Sequence, residues 1–128
     1  RIQIVSNPLE DVYVLGSRIR LEQALVNLIA NAVKFNRPSG QVRIAVTQTA
    51  DGQVRIAIAD TGIGIPSEDL SRIFERFYRV DKARSRELGG TGLGLAIVRH
   101  IVEGQGGRVW VEANTPTGSR FVVRILVP

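Results

Sequence analysis

The chain has no cysteine, and aromatic residues make up only 5% of it. Without cysteine it can form neither a disulfide nor a thiolate metal site. It also lacks any apolar run near the ~20 residues that a helix needs to cross a bilayer, and it has no charged-then-apolar signal segment. These absences exclude a disulfide-stapled scaffold and are compatible with the cytosol.

What is present describes one globular domain. The 128 residues are 44% hydrophobic and 23% charged, which is enough to bury a core. The sequence begins at Arg1 with strand-like residues at once, so we expect it to be part of a longer protein. The net charge of +5 favours an anionic partner: nucleic acid, a membrane surface or phosphates. The scarcity of aromatic residues weakens the case for a single-strand stacking platform.

Hydrophobic periodicity predicts an α/β domain in which helices cover one mixed sheet. Ser17 is a predicted N-cap for a helix that runs to about Phe35, with Ile19 and Leu21 beginning its apolar pattern. A short helix is expected to open in "PSEDLSRIF", with Ser67 as its cap. Strands are predicted at 2–5, 12–15, 41–47 and 53–60, with a tight turn in "TADG" between the last two. We also expect a loop at 80–91, a helix at 91–102 and a final hairpin around "TPTG".

The predicted first helix carries two asparagines and a lysine on one stripe, in "NLIANAVKF". If Asn27 is placed at 0°, Asn31 falls at about 40° and Lys34 at about −20°, opposite an apolar face at roughly 100° to 160°. Amide oxygens suit Mg²⁺, and lysine supplies a point charge for phosphate. A solvent-facing stripe that is merely rich in amides remains an alternative.

Two glycine-rich stretches add possible ligand contacts. "DTGIGIP" (60–66) follows a predicted strand, so the carboxylate of Asp60 would lie beside a backbone that a flat ligand can approach closely. An ionised carboxylate can accept from an exocyclic amine such as that of adenine. "LGGTGLGLAI" (88–97) precedes an apolar helix, whose first N–H groups can bind phosphate. Each stretch also fits an ordinary turn or cap.

In their order and spacing, these stretches resemble the catalytic, ATP-binding domain of sensor histidine kinases, within the wider family of gyrase, Hsp90 and MutL. "NLIANAVKF" resembles the N box, "DTGIGIP" and "GGTGLGLAI" the two glycine boxes, "IFERFYRVD" the F box and "TGSRF" a last, shorter box. The resemblance implies a single domain over 1–128 with a Bergerat-type two-layer sandwich, in which about five strands pack against three helices.

The resemblance also implies a function. ATP and Mg²⁺ would be bound, and the γ-phosphoryl group would pass to a histidine on a separate dimerisation module and then to a response regulator. The domain would be cytoplasmic and monomeric in isolation, would belong to a sensor anchored in a membrane, and would not bind nucleic acid.

Position by position, the resemblance assigns site residues. Asn31 would be the metal ligand, with Asn27 beside it, while Lys34 and Arg79 would face the phosphates and act in catalysis with Asn27. Asp60 would accept the adenine amine. The remaining nucleotide contacts would come from Gly62, Gly64, Phe74, Phe77, Gly90, Thr91, Gly92, Leu93, Gly94 and Ser119, with Phe74 and Phe77 beginning a lid over residues 80–91.

Other functions remain open at this point. Gyrase-type ATPases carry a glutamate at the position of Asn27 to activate water, which an amide cannot do, and anti-sigma-factor serine kinases usually have an acid there. A basic nucleic-acid module would explain the charge but not the asparagine stripe. The only histidine, His100, has no acid beside it, so we expect a structural or surface residue and no autophosphorylation by this chain alone.

Overall fold

A five-stranded mixed sheet organises the chain. The computed structural model describes residues 2–6, 16–79 and 94–125. The strand order is β1-β2-β3-β5-β4, parallel between β1 and β2 and antiparallel at the other three pairings. The elements are β1 (Gln3–Ser6), α1 (Arg18–Lys34), β2 (Gln41–Gln48), β3 (Val54–Asp60), a 3₁₀ turn (Ser67–Asp69), α2 (Gly94–Gly104), β4 (Arg108–Ala113) and β5 (Ser119–Ile125).

The predicted mixed sheet is therefore confirmed, as are the first helix and the strands at 2–5, 41–47 and 53–60. The predicted strand at 12–15, the loop at 80–91 and the first residues of the helix at 91–102 lie outside those ranges. Among the helices of the described segments, none is long and apolar enough to cross a membrane.

Helix α1 begins where its cap was predicted. The Ser17 side chain accepts a hydrogen bond from the backbone N–H of Arg20 at 3.3 Å, which satisfies one of the free donors of the first turn. The helix buries its small and branched residues on one side, with Ala24, Leu28 and Ala32 in the core. Ile19 was counted in the apolar pattern but is 78% exposed, because it falls at about −80° on the helical wheel, away from that side.

The core lies between the helices and one face of the sheet. Side chains alternate along β3, so Ile58 is fully buried among the core residues while Arg55 is exposed on the opposite face. Phe74 closes one end of the core and meets the Phe121 ring edge-on, with centroids 6.1 Å apart. Burial of each such aromatic side chain stabilises the fold by about 1.5–3 kcal/mol.

The short helix in "PSEDLSRIF" differs from its prediction. It is a 3₁₀ turn over Ser67–Asp69, and Pro66 rather than Ser67 is the cap, without a side-chain hydrogen bond. Proline suits this position because it has no N–H to leave unsatisfied at a helix start. The chain then continues in a series of three-residue turns, in which Arg72 donates to the carbonyl of Asp69 and Glu75 to that of Arg72. Within the described ranges, two α-helices and this 3₁₀ turn therefore stand where three helices were expected.

The two hairpins turn where they were predicted to turn. In "TADG", the N–H of Gly52 donates to the carbonyl of Thr49 at 3.0 Å. Gly52 has a φ of 85°, which glycine adopts without a steric penalty. In the second hairpin, the backbone N–H of Asn114 donates to the carbonyl of Gly118 at 3.1 Å across "TPTG".

Candidate functional site

The carboxylate of Asp60 is the most enclosed charged group of the described segments. It ends β3, is only 5% exposed, and accepts three hydrogen bonds. Oδ1 accepts from the backbone N–H groups of Gly62 at 2.9 Å and Ser119 at 3.3 Å, and Oδ2 accepts from the Ser119 hydroxyl at 2.8 Å. A carboxylate has about four lone-pair positions, so one acceptor position remains for a further donor.

Glycines pack closely around this carboxylate. A Cβ at Gly62 would lie 2.3 Å from the carbonyl oxygen of Phe35, and a Cβ at Gly118 would lie 2.0 Å from that of Asp60. Gly64 has a φ of 76° and approaches the Gly118 backbone. The first glycine box therefore permits close contact between three backbone segments, in addition to any contact with a ligand.

A polar network joins the end of α1 to the end of β3. The buried side chain of Asn36 donates to the carbonyl of Gln41 at 3.0 Å and accepts from the Thr61 hydroxyl at 3.0 Å. Thr61 in turn accepts from the N–H of Gln41 at 2.9 Å. These bonds fix the C-terminal end of α1 relative to the loop that follows Asp60.

The asparagine stripe runs towards that junction. Asn27 and Asn31 are half-buried at the margin of the helix's packed side, and Lys34 is exposed in its last turn. Among the hydrogen bonds of the described residues, none involves the side-chain amide of either asparagine. The predicted stripe of two amides and one ammonium group is thus present on α1.

The two phenylalanines of the F box have different environments. Phe74 is buried in the core, whereas Phe77 is 66% exposed and has a φ of 65°. Arg79, two residues on, is half-buried, and its Nε atom has no hydrogen-bond partner among the described residues. The Phe74 side chain therefore anchors this segment in the core, whereas the Phe77 side chain is exposed and does not.

Hydrogen bonding shifts the pKa of several side chains near this segment and in the β2–β3 turn. The Tyr78 hydroxyl donates to Oδ1 of Asp69, which raises the pKa of Tyr78. The bond and ion pair with Glu75 raise the pKa of Arg72, whose guanidinium lies 4.5 Å from the centre of the Tyr78 ring. In the turn, the hydroxyl of Thr49 lowers the pKa of Asp51.

The second glycine box lies largely outside the described residues. Gly90, Thr91, Gly92 and Leu93 precede the described part of α2, which begins at Gly94. A Cβ at Gly94 would meet no atom within 4 Å, so this position faces open space. His100 is exposed on the same helix, in agreement with its prediction as a surface residue.

The fold therefore brings some of the predicted residues together. Asp60, Gly62, Gly64 and Ser119 form one cluster, and the backbone of Phe35 joins it to α1. Sequence reasoning missed the residues that build the frame of the cluster, which are Asn36, Gln41, Thr61, Asn114 and Gly118. Thr61 and Gly118 lie inside two of the quoted motifs, and that adjacency was the only available signal.

The donor set is compatible with a metal ion that arrives with its own ligands. No group of three His, Cys, Asp or Glu side chains in the described segments could hold a metal. Amide oxygens on α1 offer one or two neutral ligands, which fits Mg²⁺ because this ion usually retains waters and phosphate oxygens.

The family can be recognised from the sequence of the whole domain. Residues 16–128 match the model of the family described as histidine kinase-, DNA gyrase B- and HSP90-like ATPases. The chain is 41% identical over 120 residues to the sensor histidine kinase WalK of Bacillus subtilis, covering 92% of this chain and 20% of that protein. It is 40% identical over 114 residues to the sensor protein CiaH of Streptococcus pneumoniae, covering 89% of this chain and 26% of that protein. The chain thus spans about a fifth to a quarter of these relatives.

Solved structures agree with this comparison. The nucleotide-free catalytic domain of the histidine kinase ThkA aligns with a TM-score of 0.82 and 32% identity, over 99% of this chain and 82% of that one. Full-length ShkA in complex with AMPPNP aligns with a TM-score of 0.78 and 35% identity, over 97% of this chain and 25% of that one. The chain belongs to the family of histidine kinase-, DNA gyrase B- and HSP90-like ATPases and has the fold of the histidine kinase catalytic domains within it.

Proposed function

We propose that this domain binds Mg·ATP between α1 and the Asp60 cluster and donates the γ-phosphoryl group to a histidine on a separate dimerisation module. The observation that carries the proposal is the buried Asp60 carboxylate, which three hydrogen bonds hold in place and which keeps one acceptor position. An exocyclic adenine amine is a donor of the right kind for that position. Gly62 and Gly64 would let the purine approach the backbone.

The phosphates would lie along the asparagine stripe. Asn31 would supply an amide oxygen to Mg²⁺, with Asn27 beside it, and Lys34 and Arg79 would face the phosphate oxygens. A bound Mg²⁺ supplies neutralisation of the triphosphate charge. Backbone N–H groups at the start of α2 would add phosphate contacts, from Gly90, Thr91, Gly92, Leu93 and Gly94. Ser119 would hold Asp60 in place. Phe74 and Phe77 would support the segment that leads into the lid.

Transfer would then depend on position and charge rather than on a base in this domain. The accepting histidine nitrogen attacks the γ-phosphorus, the bond from that phosphorus to the bridging oxygen breaks, and ADP leaves. Asn27 has an amide where the ATPase relatives need a carboxylate to activate water. An amide there would protect the phosphoryl group from hydrolysis until the histidine arrives.

The partners are proposed by analogy with the sensor kinases that this chain resembles. The chain covers about a fifth of WalK, so the dimerisation module and the sensor would be separate parts of a longer kinase. A response regulator would receive the phosphoryl group from the histidine. In that arrangement the domain would face the cytoplasm and belong to a sensor anchored in the membrane.

Transfer between separated modules tests the proposal. The chain is mixed with Mg·ATP and a separately produced dimerisation module, and acid-labile phosphate on that module's histidine is measured. We expect transfer by the wild type and a loss of about a hundredfold in Asn31→Ala. Gly104→Ala, at a position where a Cβ meets no atom within 4 Å, is the matched control and should transfer normally.

Two results would contradict the proposal. Undiminished transfer by Asn31→Ala or Asn31→Asp would refute the metal assignment. Rapid release of free phosphate by the isolated chain, without transfer to the module, would instead establish an ATPase of the gyrase type.

A further inference from the structure

Three arginines lie in one row across the sheet face that the helices leave uncovered. Arg55 of β3 is directly opposite Arg124 of β5, which is directly opposite Arg108 of β4. Adjacent strands are about 4.8 Å apart, so three like charges stand side by side. We name these residues the arginine row.

The row is arranged around Trp110, the chain's only tryptophan. The guanidinium carbons of Arg55, Arg108 and Arg124 lie 5.3, 5.8 and 5.9 Å from the centre of its ring. At such distances the guanidinium groups gain cation–π attraction. The three charges therefore lie around one aromatic ring on this face of the sheet.

The surrounding charges leave the row positive. The ion pairs of the described segments involve other arginines, and Glu112, the acid of β4, is paired with Arg120. Arg43 lies on the same face, opposite Ala59, and its guanidinium bonds an amide oxygen of Gln41 at 3.2 Å rather than a carboxylate. Asp51, in the β2–β3 turn, accepts a hydrogen bond from the Thr49 hydroxyl and is in none of the ion pairs of the described segments.

This arrangement costs stability, because like charges directly opposite each other on neighbouring strands destabilise a sheet. The cation–π contacts with Trp110 offset part of this repulsion, whereas uncharged polar residues at these positions would pair without any repulsion. We propose that the arginine row is a docking surface for a carboxylate-rich surface of a partner protein. The site lies on the sheet face opposite the helices and is distinct from the proposed ATP site.

The chemistry of the row selects this partner. A guanidinium group presents two parallel N–H donors that match a carboxylate, and arginine and tryptophan are enriched in the energetic centres of protein interfaces. A single-stranded nucleic acid would gain no base stacking here, because guanidinium groups already lie over the ring of Trp110. A membrane-binding surface would need an apolar side chain free to insert, and the half-buried Trp110 is held in the row.

Titration with an acidic probe tests the proposal, and Trp110 reports it directly. Fluorescein-labelled hexaglutamate is added to the whole chain at low salt, and both anisotropy and tryptophan fluorescence are recorded. We expect saturable binding, a change in Trp110 emission, and affinity that falls as salt rises. The triple variant Arg55→Gln/Arg108→Gln/Arg124→Gln should bind about tenfold more weakly, the effect of three exposed ion pairs of ordinary strength.

The matched control removes the same charge from the helical layer. Arg18→Gln/Arg20→Gln/Arg99→Gln should bind hexaglutamate like the wild type, because these arginines lie on α1 and α2. Thermal unfolding establishes that both triple variants fold. Equal weakening in the two variants would overturn the proposal, as would tighter binding of oligothymidylate or of phosphatidylserine vesicles than of hexaglutamate at the same ionic strength.

Discussion

Ser119 and Asp60 are buried together, and each satisfies the other. The Ser119 hydroxyl donates to Oδ2 of Asp60 at 2.8 Å, and both side chains are no more than 6% exposed. Ser119→Ala removes the donor and leaves the carboxylate partly unsatisfied, so we expect the free energy of unfolding to fall by about 2 kcal/mol. Urea denaturation measures the change. Ser119→Thr keeps the hydroxyl and should recover most of the stability, and an alanine variant as stable as the wild type would contradict the assignment.

Gly62 is required by packing as well as by any ligand. A Cβ there would lie 2.3 Å from the carbonyl oxygen of Phe35, so Gly62→Ala must displace backbone and should cost about 1–3 kcal/mol. Gly104→Ala places the same methyl group in open space and should be neutral or stabilising. Thermal unfolding of the two variants separates these outcomes, and equal melting temperatures would show that the Phe35 contact is not restrictive.

The motifs indicate some residues that lie together in the fold. Asp60 and Ser119 come from two different motifs that the sequence assigns to nucleotide binding, and they are hydrogen-bonded to each other. Asn36 and Asn114 were missed because their side chains bond distant segments, at the Thr61 hydroxyl and the Asp60 carbonyl respectively. Such contacts exist only after the strands have paired, so local sequence carries no signal for them.

Helix α1 depends on its cap at the scale of the element. The Ser17 hydroxyl accepts from the N–H of Arg20, so Ser17→Ala should lower the free energy of unfolding by about 1 kcal/mol. Ser17→Asp can still accept at that position and adds a charge that favours a helix N-terminus, so it should match or exceed the wild type. Urea denaturation of the three proteins checks the order, and equal stability of alanine and aspartate variants would exclude a capping role.

Elements were predicted less well where several short turns replace one helix. The apolar and capping pattern of α1 extends over 17 residues, long enough for periodicity to identify it. The conformation of the segment after Pro66 depends instead on side-chain contacts. Phe74 packs on Phe121, and the Tyr78 hydroxyl donates a hydrogen bond to Asp69. These contacts favour successive three-residue turns over an α-helix, which a local pattern does not reveal.

At the scale of the whole molecule, Tyr78 couples folding to pH on the alkaline side. Its hydrogen bond to Asp69 raises the pKa of Tyr78 above the ordinary value of 10.0, so the folded state holds the proton more tightly than the unfolded chain does. The resulting stability is fully present below about pH 10 and is lost as pH rises through the folded-state pKa.

We therefore expect the free energy of unfolding of the wild type to fall by more than that of Tyr78→Phe as pH rises above about 10, because the variant lacks the titrating group. Urea denaturation at several pH values from 8 to 11 measures the difference between the two curves, and other alkaline groups cancel because both proteins contain them. The Asp69→Asn variant should also lose less stability than the wild type at alkaline pH, since its amide oxygen is a weaker acceptor for the Tyr78 hydroxyl. Parallel curves for wild type and Tyr78→Phe would show that the Tyr78–Asp69 bond does not contribute to the stability of the folded domain.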